Sequence, residues 1–135
     1  MAGFWVYCVQ KNIDRSGGAG LPGAMGESMH LSKQIESMYD DAVRIRQDLH
    51  RIPEIGFQLR DTQAYVLREL KQCGPDRIET PAVCGVKAVF FAKDAETTIA
   101  FRADMDGIHN DEANDVPYCS QRPGNMHGCG HDGHM

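Results

Sequence analysis

The sequence predicts an α/β domain in which helices pack on a sheet. Three observations carry that expectation. Apolar residues recur at alternating spacings of four and three across residues 31–52; residues 83–91 are rich in β-branched and aromatic side chains; and a second run of this kind, residues 97–101, gives way abruptly to Arg102-Ala103-Asp104-Met105-Asp106. Charged groups that emerge where a buried strand ends mark the place where open α/β sheets carry their sites.

In chain order, the first apolar stretch is residues 2–9. It has no basic region before it and is far too short to span a bilayer, so neither a signal peptide nor a membrane anchor is expected. Residues 15–28 then accumulate glycine beside Pro22, a composition that gains too little from burial to offset its ordering entropy. Residues 1–30 are therefore expected to be a flexible tail, and residues 31–135 the folded portion. The first helix carries Leu31, Ile35, Met38, Ala42, Ile45, Leu49 and Ile52 on one stripe, with Lys33, Glu36, Asp41, Arg44 and Asp48 between them. Pro53 ends it, because a residue before proline is pushed out of helical geometry. A second helix is expected from the Asp61-Thr62 cap, turning Val66, Leu67, Leu70 and Cys73 inward and stopping at Gly74-Pro75. The polar residues 93–96 then read as a turn between two paired strands.

Composition narrows the function classes. A chain of 135 residues is of single-domain size, and a net charge of −5 with no Arg/Lys run argues against a nucleic-acid partner. The five cysteines are odd in number and irregularly spaced, which fits a reduced intracellular protein, with the cytoplasm as the default, better than a disulfide framework.

The densest chemistry lies in residues 126–135, where His127, Cys129, His131, Asp132 and His134 alternate with glycines. Thiolate and imidazole hold transition-metal dications, and Cys129 and His131, two apart on an extended segment, point the same way. Asp104 and Asp106 are placed to orient a ligand imidazole or a water from just behind the ligands. His127 and His134 read as loop residues, or residues just behind the ligands, rather than ligands, since a site rarely recruits every nearby imidazole; His50 reads as a capping or helix-terminus residue. Cys119 reads as an ordinary thiol, and Cys8, Cys73 and Cys84 carry no evident chemistry. A site that begins this late in the chain is expected to draw its remaining ligands from downstream sequence.

Taken together, Arg102-Ala103-Asp104-Met105-Asp106-Gly107, His127-Gly128-Cys129-Gly130-His131-Asp132-Gly133-His134, Asp48-Leu49-His50 with Pro53-Glu54, Thr62 and Val116-Pro117-Tyr118 resemble the M20 metallopeptidase family, in its amidohydrolase branch. The resemblance covers roughly residues 35–135. It implies the amino-terminal part of a zinc-peptidase-like catalytic domain, helices on a mixed sheet, with the smaller lid and dimerisation domain absent from these 135 residues. It further implies two divalent metal ions, zinc or manganese, with Cys129 and His131 as ligands and Asp104 in a catalytic role. The implied substrate is an N-acyl amino acid or peptide-like amide cleaved by metal-activated water, in a full-length homodimer, with these residues alone an inactive fragment. Arg102 stands where many M20 peptidases have a metal-binding histidine, which favours the amidohydrolase branch. Ile108-His109-Asn110 replaces the branch's usual Leu-Pro-Ile, and Gly128 a common alanine. The alternative from another class is a noncatalytic structural zinc module, closed by Cys119, Cys129, His131 and either His127 or His134.

Overall fold

The computed structural model describes residues 5–10, 33–91 and 97–135. A four-stranded mixed sheet is formed by β1 (Trp5–Gln10), β2 (Arg77–Glu79), β3 (Val86–Phe90) and β4 (Thr98–Phe101), in the order β2-β3-β1-β4. β1 runs parallel to β3 and antiparallel to β4, and β2 runs antiparallel to β3. The helices are α1 (Tyr39–His50), α2 (Arg60–Gln72) and the short α3 (His131–His134). Among the described residues, no helix is long and apolar enough to cross a membrane.

Two sequence expectations are corrected by this topology. Residues 5–10, assigned to a flexible tail, form a strand with partners on both sides; their Trp-Val-Tyr-Cys-Val composition is that of a strand, and pairing outweighs the glycine-rich sequence that follows. The rest of that expected tail lies outside the described residues. β3 and β4 are also not neighbours, because β1 lies between them. β4 consequently becomes an edge strand, exposed along its whole length, with Ile99 and Phe101 in solvent. The chain turns into the core immediately afterwards, at Ala103 and Met105.

Asp40 and Asp41 in the first turn of α1 complement the helix dipole, and the helix ends at Arg51 just ahead of Pro53. Residues 33–37 are helical too, separated from α1 by a turn at Met38, but the expected stripe is buried only in its later part: Ile35 and Met38 are exposed while Leu49 is fully enclosed. α2 begins within a residue of the expected cap and buries Thr62, Tyr65, Val66 and Leu70. Cys73 caps the helix and is exposed rather than inward, since it lies past the last helical residue. Tyr65 Oη donates to Asp48 at 2.8 Å, and Arg44 pairs with Glu69 at 3.0 Å, tying α1 to α2. The core joins Leu49, Leu59, Tyr65, Val66 and Leu70 from the helical side to Val86, Ala88, Ala103 and Met105.

A second, two-stranded ladder fixes the site. β5 (Ile108–His109) pairs antiparallel with β6 (Asn125–Met126), with Ile108 opposite Met126. This ladder brings the end of the Asp104–Asp106 segment alongside the segment that opens the His/Cys cluster.

Candidate metal centre

His131 is the best-defined donor. Its Nδ1 lies 2.8 Å from the backbone carbonyl of Asp106, which can only accept, so Nδ1 is the donor and Nε2 is the ring nitrogen left to meet a ligand. This is the arrangement by which metal-binding imidazoles are fixed in tautomer and orientation. Asp106 Oδ1 is 3.2 Å from the same nitrogen but out of line for a hydrogen bond, because the N–H is spent on the carbonyl. Cys129 is exposed, two residues before His131. Between them Gly130 sits at φ 74°, in the left-handed region that lets the backbone turn directly from the Cys129 loop into α3. The donor chemistry of thiol and imidazole fits one wall of a divalent-metal site.

The two departures at Ile108 and Gly128 belong together. A methyl at position 128 would stand 2.7 Å from Ile108 Cδ1, so the branched side chain at 108 is accommodated by glycine at 128.

Behind the donors lies a buried polar cluster. His50, on the last turn of α1, has Nδ1 2.7 Å from Asp132 Oδ2 and Nε2 2.9 Å from Glu112 Oε1. Arg46 Nε reaches the same Asp132 oxygen at 2.9 Å. All three side chains at the heart of this cluster are enclosed: His50 is 6 % exposed, Glu112 4 % and Asp132 1 %. The His127 ring lies 6.3 Å from that of His50. Both His127 nitrogens, with Asp106 Oδ1 and Asp132 Oδ1, are buried and make no hydrogen bond among the described residues. Burial holds the His127 imidazole below its ordinary pKa, against the opposing pull of Asp132 and Asp106.

Of the residues singled out by sequence, Cys129 is exposed, His131 is held by the Asp106 carbonyl, and Asp104 receives Arg102 Nη2 at 2.8 Å. Asp106, rather than Asp104, meets the histidine. Sequence reasoning missed the functional weight of His50, Glu112 and Asp132. For His50 and Asp132 the available signal was their presence in the quoted motifs; Glu112 had none, since no local periodicity pairs residues 62 or 82 apart. Cys119 turns into its own loop, its Sγ 2.9 Å from both the Asn114 and Val116 carbonyl oxygens. Among the described residues, no three His, Cys, Asp or Glu side chains are arranged to hold one ion, so the closed structural zinc set does not assemble.

Glu112 supplies a pH prediction. Burial alone would raise its carboxyl, but hydrogen bonds from His50, the Ser120 backbone N–H and Asn114 outweigh that and hold it at about 2. A carboxyl whose folded pKa is depressed contributes stability that is present above its unfolded value of about 4.3 and is lost as pH falls towards 2. Urea midpoints measured across that range should show the gap between wild type and Glu112→Gln closing as pH drops. A pH-independent gap would contradict this account of Glu112.

Comparison with known proteins adds to this geometry. Residues 100–135, which hold both halves of the site, match the profile of peptidase family M20/M25/M40. The chain belongs to the M20 family. Its N-acetyldiaminopimelate deacetylase relatives include that of Bacillus subtilis, 43 % identical over 97 residues, and that of Bacillus velezensis, 45 % identical over 94. These alignments cover 71 % and 69 % of this chain but only 26 % and 25 % of the relatives, so the chain spans about a quarter of their length. A crystal structure assigned as an aminohydrolase, from methicillin resistant Staphylococcus aureus, superposes with a TM-score of 0.62 at 26 % identity, covering 78 % of this chain and 28 % of that one. The α/β class read from the M20-like motifs, with helices on a mixed sheet, is the class observed.

Proposed function

We propose that this chain supplies part of the catalytic site of a metal-dependent amidohydrolase that removes the acyl group from an N-acyl amino acid. The observation that carries the reading is His131, fixed by the Asp106 carbonyl with Nε2 free, two residues from the exposed Cys129 thiol. Cys129 and His131 would hold a divalent ion, zinc or manganese, which supplies carbonyl polarisation and activation of water. Asp106 keeps the His131 ring oriented. Asp104, held by Arg102 at the end of the segment after β4, is assigned to the charged wall facing the reacting amide. The remaining donors and the proton-shuttling carboxylate are assigned to sequence outside these 135 residues, in a cytoplasmic homodimer. The named activity of the relatives makes N-acetyldiaminopimelate the first substrate to try, followed by hippurate and other N-acyl amino acids.

The 135-residue chain alone should show no turnover of these amides above background with zinc or manganese added, because its described residues do not bring three donors to one point. The full-length protein should turn over at least one of them. Robust hydrolysis by the isolated chain, or none by the full-length protein, would overturn the reading.

A further inference from the structure

We propose that His50 is a positioning residue for the metal-binding segment, acting through Asp132; this rests on the reading of Cys129 and His131 as metal donors. α3 has only four residues, and the Cys129 loop before it is exposed, so little within the segment itself fixes where His131 stands. The anchor is Asp132, the neighbour of His131. It is 2 % exposed and held by His50 Nδ1 at 2.7 Å and Arg46 Nε at 2.9 Å. The other His50 nitrogen holds Glu112 at 2.9 Å, and Glu112 accepts the Ser120 backbone N–H at 2.7 Å. His50 is thus one side chain on a well-packed helix that grips both the loop leading into β6 and the helix following the metal loop. The two grips depend on the same ring, one through each of its nitrogens.

The division of labour is specific. The Asp106 carbonyl sets the rotation of the His131 ring, whereas the His50–Asp132 contact sets the backbone that carries it. Arg46 does not duplicate His50: its side chain is 39 % exposed, whereas the His50 ring is enclosed and reaches both carboxylates. Removal of His50 would leave Glu112 without its ring partner and Asp132 with Arg46 as its one remaining hold on α1. A residue that merely filled space would instead alter stability and leave the donors where they are.

The test compares metal affinity with stability in the full chain, using Co2+ as the probe and the Cys129 thiolate absorption as the signal. His50→Gln should weaken Co2+ binding about ten- to a hundredfold, the usual effect of losing a partner behind a ligand. Leu49→Ala removes a fully buried neighbour on the same helix turn without touching the cluster, and should lower Tm while leaving affinity within about threefold. Asp132→Asn should reproduce the affinity loss, and the double variant should lose no more than the worse single one, since both act through one contact. If His50→Gln does not fold, Asp132→Asn against Leu49→Ala still decides the matter. Unchanged affinity in the folded variants, losses that add in the double variant, or an equal loss in Leu49→Ala would each overturn the proposal. Wild-type Co2+ binding with no signal from Cys129 would overturn the metal-donor reading and this inference together. A Cys129 signal that His50→Gln does not weaken would overturn this inference alone.

Discussion

Cys129→Ser should weaken metal binding by more than about a hundredfold in the full-length protein and remove nearly all amidohydrolase activity. A serine hydroxyl is a far poorer anionic donor than a thiolate at neutral pH, and loss of a direct ligand exceeds the ten- to hundredfold effect typical of residues behind the ligands. Exposure of Cys129 makes the change inexpensive for the fold, so Tm of the metal-free protein should move little. Cys119→Ser is the informative partner. Its single S–H has the Asn114 and Val116 carbonyls within reach as alternative acceptors, and a hydroxyl can donate to either, so the expected cost is about 1 kcal/mol of stability with metal content unchanged. A structural zinc site would show the opposite, with either substitution releasing the ion and unfolding the domain. Metal content, Tm and turnover measured on both variants check this, and loss of metal from Cys119→Ser as severe as from Cys129→Ser would sink the amidohydrolase assignment.

Asp132→Ala should be the most damaging single substitution for stability at the site. It removes a fully buried carboxylate from His50 and Arg46. Breaking a buried pair by deleting one partner costs about 3–5 kcal/mol. Glu112 still pairs with the second His50 nitrogen, which places the expected loss near the lower end of that range. For a chain of this size that corresponds to a fall in Tm of about 10 °C. Asp132→Asn, which keeps the shape and an acceptor, should lose roughly half as much. Thermal melts of the two variants check this, and equal, small losses would show that the cluster contributes little to folding.

The sequence alone determined what depends on local pattern and residue chemistry. Three-and-four spacing located α1 and α2, with Pro53 and Gly74-Pro75 as their ends, and β-branched density located β3 and β4. Because thiolate and imidazole have an intrinsic preference for transition metals, Cys129 and His131 stood out before any fold was known. Tertiary structure decided what depends on distant partners. Strand order is not encoded in strand composition, so the insertion of β1 between β3 and β4, which turns β4 into an exposed edge, could not be read from either run. Asp104 and Asp106 alternate on one short segment and look equivalent in sequence; the β5–β6 ladder sets Asp106 beside His131, while Asp104 pairs with Arg102. His50 looked like an ordinary helix-end residue because its two carboxylate partners lie 62 and 82 residues away, and only folding closes those loops around it.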